Sequence, residues 1–164
     1  MWIDKCCIDQ STPATIQAGV DSFGRFVEKS DGMIAFVSTK YFSRLWCVYE
    51  LATFCKMHEG PGLQQKLRLL SPDWPSSLSP FKSARLTDKE RSVLRGFHCR
   101  DARCFKPCDR GTVLATVREK WGSEAAFDKF VQKELIKVLE QSKEQYTTRL
   151  GQVMAETLEL TFGD

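Results

Sequence analysis

The sequence has few histidines and lacks a block of like charge and a glycine-rich loop, and each shortage excludes a class of function. Two histidines in 164 residues argue against a cysteine–histidine hydrolase, although Cys47 and Cys55 precede His58 closely. Lys and Arg number 24 against 21 Asp and Glu, and the resulting charge of +3 is spread along the chain, so we expect no nucleic-acid binding. The scattered glycines form no phosphate-binding motif.

Long apolar runs are also absent. No stretch approaches the ~18 apolar residues of a membrane span, and the first residues lack the basic region and apolar core of a signal peptide. Seven cysteines are an odd number without a regular framework, which favours a reducing compartment. We therefore expect a cytoplasmic protein with no membrane span, whose length suits one globular domain.

One cluster invites a metal-site interpretation, because His98, Cys99, Cys104 and Cys108 fall within eleven residues. Structural zinc sites prefer closely spaced cysteine pairs separated by a longer span, and this series is compact and irregular. Free cysteine commonly behaves as a small buried apolar residue. We predict no metal site here.

The most informative segment runs from Ser43 to Leu51 and places one carboxylate, Glu50, within an otherwise apolar helical pattern. The apolar run at 32–38 just before it predicts a strand buried on both faces. Ligands of open parallel sheets bind outside the carboxyl ends of the strands, so Glu50 is expected near a ligand crevice. The alternative from the pattern alone is a solvated carboxylate, favoured by the positive end of the helix dipole.

Further signals along the chain predict alternating helices and strands. Thr12 is expected to cap a helix that begins at Pro13, and the capping-box pattern from Thr87 predicts a helix over about 88–97. The other predicted elements are a strand at 67–70, a strand at 102–105, a helix capped by Asp109 that runs through Val113, Val117 and Trp121, and a helix from about Ser123. This alternation is typical of an α/β layer fold.

The order of these motifs resembles the Toll/interleukin-1 receptor (TIR) domain, especially its plant-like and protist-like forms. The residues that carry the resemblance are Trp2-Ile3-Asp4-Lys5, Ile16 to Val27, Ser30 to Ser38, Tyr41, Ser43-Arg44, Trp46-Cys47 and Glu50-Leu51. The resemblance implies a flavodoxin-like fold, with a parallel sheet flanked by helices over residues 1–140. Residues 141–164 would form an amphipathic helical tail that packs on the domain, pairs with another copy or leads to a further region.

The resemblance also implies a site and a reaction. Enzymes of the family cleave the nicotinamide glycosidic bond of NAD, and Glu50 stands at the position of their catalytic glutamate. Trp46 would form the wall of the pocket, and Asp9, Ser43 and Cys47 would contribute to nucleotide binding. NAD is then a substrate, and no cofactor is expected. Asp9 lies in the loop that in the family mediates self-association, Cys6 to Pro13; otherwise it is an ordinary polar loop residue.

Two functions follow from the resemblance, an NAD nucleosidase and a non-catalytic scaffold that binds other TIR domains. Association in the scaffold would use the Cys6 to Pro13 loop and the helix that carries Trp46. TIR domains normally open with a strand and a helix that have no counterpart before Trp2. The chain is therefore expected to be N-terminally truncated, either as an incomplete gene model or as a piece that works in a larger assembly.

Overall fold

The computed structural model describes residues 11–37, 40–70, 86–104 and 109–141. This part of the chain is mostly helical and contains a two-stranded parallel sheet, an arrangement compatible with an α/β fold. The elements are α1 (Pro13–Glu28), β1 (Met33–Phe36), a 3-10 turn (Tyr41–Ser43), α2 (Leu45–Met57), α3 (Leu63–Lys66), β2 (Leu67–Leu70), α4 (Asp88–Arg95), α5 (Asp109–Trp121) and α6 (Glu124–Lys129), which continues as a π-helical segment (Phe130–Leu135).

Three helix starts confirm the predictions made from local sequence signals. The Thr12 hydroxyl accepts the backbone N–H three residues ahead, and Pro13 opens α1. Thr87 and Glu90 form a reciprocal capping box, in which the Glu90 carboxylate accepts the Thr87 N–H at 2.8 Å. The Ser123 hydroxyl accepts the Ala126 N–H at 3.1 Å and caps α6. Each cap satisfies N–H groups that lack a partner within the helix.

The two predicted strands pair in parallel, with Met33 opposite Leu67. Gly32 lies where the chain enters β1, and a Cβ there would come within 2.7 Å of the Lys66 carbonyl oxygen. A side chain would therefore force the two backbones apart at the start of the sheet.

The prediction that β1 is buried on both faces is wrong. Ala35 is buried, whereas its neighbour Ile34 is 59% exposed. Arg68, which is paired with Ile34 on β2, is exposed on the same face of the sheet. The face that carries Ile34 and Arg68 is thus open to solvent at these two positions, since successive side chains of a strand point to opposite faces.

Of the strand predicted at 102–105, the described residues 102–104 form a single bridge, between Arg103 and Arg44, and Phe105 lies outside the described residues. Among the described residues, β1 has one partner strand, β2. Three predicted features lie outside the described residues: the segment Trp2-Ile3-Asp4-Lys5 that contributes to the resemblance, the association loop up to residue 10, and the tail after Gln141. A flavodoxin-like TIR arrangement therefore stays a prediction.

Helix α2 lies at the centre of the core. Nine of its 13 residues are buried, which is expected of a helix that is apolar on nearly all sides. It packs against α1, α5 and the π-helical segment. Phe127 lies beside it, fully buried, with its ring 6.3 Å from Tyr49 and 5.0 Å from Trp121. In the described ranges, no helix combines the length and the apolar character needed to cross a membrane.

Candidate functional site

The start of α2 is fixed by contacts on both sides of Arg44. The Ser43 carbonyl accepts the Arg103 N–H at 2.8 Å, and the Arg103 carbonyl accepts the Leu45 N–H at 2.9 Å. The Ser43 hydroxyl donates to the Lys40 carbonyl oxygen at 2.8 Å and so stabilises the 3-10 turn before the helix. Ser43 therefore shapes the loop through its backbone and its side chain.

Glu50 lies on the second turn of α2. Its side chain is half-buried, and its Oε1 atom is removed from solvent. The adjacent helix positions, Tyr49 and Leu51, are buried, so the carboxylate emerges from an apolar surface. A carboxylate that is partly withdrawn from solvent acts through a lower dielectric than one in water.

Tyr41 is an electrostatic neighbour of Glu50. Burial raises the pKa of Tyr41 well above its ordinary value, electrostatic interactions with Cys47, Glu50 and Cys55 raise it further, and Arg44 acts in the opposite direction. The phenol consequently stays protonated at neutral pH. The site thus combines a carboxylate with a neutral hydroxyl group that the 3-10 turn supplies.

Trp46 lies one helical turn before Glu50 and packs on the α1 side of the helix. Its ring stacks on Tyr49, with centroids 5.8 Å apart, and lies 5.9 Å from the ring of Phe23. The indole is half-buried against the core. These contacts fix the indole against α1 and Tyr49, four residues before Glu50 in the helix.

The cysteines of α2 are not arranged as nucleophiles. Cys47 and Cys55 are buried, and burial raises the pKa of Cys55 to about 12. His58 cannot serve as their base, because both ring nitrogens are engaged. Lys66 donates to Nδ1 at 3.3 Å, which leaves Nε2 to donate to the Val27 carbonyl oxygen at 3.0 Å.

The histidine and cysteine residues at 98–104 serve a structural purpose. Asp128 accepts the Cys99 backbone N–H at 2.8 Å, and its other oxygen lies 3.3 Å from Nδ1 of His98. Burial raises the pKa of Cys99 to about 12, and the contact with Asp128 adds to the effect. Within the described ranges, no three His, Cys, Asp or Glu side chains are grouped to hold a metal ion. Cys108 lies outside those ranges.

Four of the five predicted site residues lie within the described part of the chain, in the turn before α2 and its first two turns: Ser43, Trp46, Cys47 and Glu50. Asp9 lies outside it. Sequence analysis gave no role to Tyr41 or Arg103, which contact or influence the same region. Tyr41 could have been noticed in the sequence, because a bulky aromatic residue next to Phe42 and close to the predicted helix indicates a packed turn. The pairing of Arg103 with Arg44 depends on tertiary structure and gives no sequence signal.

Comparison of the chain with protein-family models, with curated proteins and with solved structures found no match.

Proposed function

We propose that this protein is a TIR-type NAD nucleosidase that acts in intracellular signal transduction, with Glu50 as its catalytic carboxylate. The observation that supports the proposal is the position of Glu50, half-buried with one oxygen out of solvent on the helix that follows β1. An ordinary surface glutamate would keep both oxygens hydrated. The TIR assignment itself rests on the sequence motifs described above.

The reaction requires a negative charge held beside the sugar. As the bond between nicotinamide and ribose breaks, its electron pair leaves with nicotinamide and positive charge develops on the ribose. The Glu50 carboxylate orients the ribose hydroxyls and stabilises this oxocarbenium-like state. Water then attacks the ribose carbon and releases a proton, which gives ADP-ribose. No cofactor takes part, since NAD is the substrate.

The surroundings of Glu50 suit this role. A charge is most effective when it is fixed before the reaction, because little reorganisation is then needed as the transition state forms. Leu51 and Val48, both buried, fix the backbone on either side of the carboxylate. Trp46 is held by two aromatic rings and offers a flat surface for nicotinamide or adenine.

Release of nicotinamide from NAD by the purified protein tests the proposal. The wild type and Glu50→Ala are compared over a range of protein concentrations, because TIR enzymes commonly become active on assembly. The wild type is expected to release nicotinamide at a specific rate that rises with concentration, and Glu50→Ala to release none. If the folded wild type released no nicotinamide at any concentration, the proposal that the protein is an NAD nucleosidase would be wrong.

A non-catalytic scaffold is the second candidate, and the exposed apolar side chain of Ile34 favours it. A large apolar residue on an open sheet face is suited to burial against another copy. The helix that carries Trp46 is largely buried, so homotypic association would use the sheet instead. Sedimentation of the wild type and of Ile34→Thr tests this; association that the substitution does not weaken would exclude the sheet face.

A further inference from the structure

Arg44 and Arg103 occupy paired positions in the single parallel bridge that joins the start of α2 to the loop after α4. Two backbone hydrogen bonds define the pairing: the Arg103 N–H donates to the Ser43 carbonyl oxygen, and the Leu45 N–H donates to the Arg103 carbonyl oxygen. Backbones in such a pair lie about 4.8 Å apart, and paired residues point to the same side. The two guanidinium groups therefore start from neighbouring positions on one face.

The pairing brings two like charges to one face. Both arginines are exposed, and within the described ranges neither forms an ion pair. Like charges placed directly opposite each other in a ladder are destabilising, although solvent screens part of the repulsion. The nearby Arg100, in contrast, has its charge compensated, because it forms an ion pair with the buried carboxylate of Glu124.

The loop around Arg103 is held by a further cation. Arg110 donates to the carbonyl oxygens of Arg100 and Ala102, the latter at 2.6 Å. Asp101 is the one carboxylate of the 100–104 segment, and it forms no ion pair with described residues. The loop is thus fixed by contacts to its backbone, and Arg103 forms no ion pair with described residues.

The arginine pair lies at the N-terminal end of the helix that carries Glu50. Arg44 stands at the N-cap position of α2 and provides no side-chain cap, so the positive end of the helix dipole adds to the guanidinium charges. Glu50 lies six residues further on, about 9 Å along the helix axis. Tyr41 lies near both, since Arg44 and Glu50 act on its pKa in opposite directions.

We propose that Arg44 and Arg103 form a binding site for a diphosphate group. Guanidinium groups bind phosphate oxygens through paired hydrogen bonds, and two of them on one face match two adjacent phosphates. The anion would relieve the repulsion between the arginines. That this diphosphate belongs to NAD rests on the function proposed above, whereas the anion site does not depend on it.

Binding of inorganic pyrophosphate, measured by titration calorimetry at low salt, tests the site. The test variant is Arg44→Gln/Arg103→Gln. The matched control is Arg68→Gln/Arg95→Gln, which removes the same charge from two exposed arginines that form no ion pair with described residues. Equal unfolding midpoints establish that both variants are folded. We expect at least roughly tenfold weaker binding for the test variant and about wild-type binding for the control.

Failure of this site is distinguishable from failure of the nucleosidase. The proposed anion site would be wrong if the wild type did not bind pyrophosphate, or if both variants lost the same amount of pyrophosphate affinity. Either result would count against the site whether or not the protein releases nicotinamide. Binding lost only in the test variant upholds it, even if no protein releases nicotinamide. Competition by NAD separates the two sources of the anion: displacement of pyrophosphate assigns the site to the dinucleotide, and its absence assigns the site to a free phosphate compound.

Discussion

The backbone N–H of Arg103 donates to the carbonyl oxygen of Ser43 at 2.8 Å, and this contact joins two segments sixty residues apart in the sequence. The position of α2, and with it that of Glu50, therefore depends on the loop at 98–104. That loop is held in turn by Asp128 and by Gln132, whose amide donates to the Phe97 carbonyl oxygen at 2.8 Å. The candidate site is thus supported by the C-terminal helices.

Replacing Phe127 with alanine is expected to lower the free energy of unfolding by about 3–5 kcal/mol. The ring is fully buried and contacts the rings of Tyr49, Phe97 and Trp121, so its removal leaves a cavity beside α2. Urea unfolding of the wild type and the variant measures the change. Phe26→Ala is the matched control, because Phe26 is 45% exposed. Equal destabilisation by both substitutions would contradict the described core.

Glu124 is expected to make folding stability depend on pH in the acid range. Hydrogen bonds and ion pairs with Arg100, and then with Arg118, lower the pKa of Glu124 from its ordinary value of 4.5. Because the folded pKa is below the unfolded one, the stabilisation is present above pH 4.5 and is lost as the pH falls through the folded value.

Urea midpoints measured from neutral pH down to about pH 3 test this expectation. Glu124→Gln is expected to be less stable than the wild type at neutral pH and to approach it in acid. Glu119→Gln is the control, because Glu119 is exposed and contacts its neighbour Lys120. If the urea midpoints of the wild type and Glu124→Gln differed by the same amount at every pH, the ion pairs of Glu124 would not be the cause of the pH-dependent stability.

Cys55 is expected to resist alkylation in the native protein. Burial raises its pKa to about 12, so almost no thiolate is present near neutral pH, and the sulfur is not accessible. Peptide mapping after iodoacetamide treatment, with and without denaturant, measures the labelling. We expect labelling of Cys55 only after unfolding. Rapid labelling of the native protein would reopen the possibility of a cysteine nucleophile on α2.

Local signals predicted the elements that local interactions decide. The caps at Thr12, Thr87 and Ser123 were predictable because the partner N–H lies three residues away. The segments Met33–Phe36 and Leu67–Leu70 were also predictable as strands, since their length and composition are enough to indicate a strand.

Tertiary contacts decided the rest. Ile34 belongs to an apolar run, and the sequence does not indicate that its face of the sheet is open. The segment at 102–105 has the composition of a strand, yet its partner, Arg44, offers one bridging position before α2 begins. The position of Glu50 on α2 was predictable, whereas the pairing of Arg103 with Arg44 was not, because it depends on how distant segments pack.

We propose that Glu50 catalyses cleavage of NAD, and nicotinamide release by Glu50→Gln measures this most directly. The amide keeps the size of the side chain and removes its charge, while Glu59→Gln makes the same change at an exposed position just beyond α2. We predict a rate lowered roughly 100-fold or more for Glu50→Gln and an unchanged rate for Glu59→Gln. Turnover by Glu50→Gln at the wild-type rate would contradict the account.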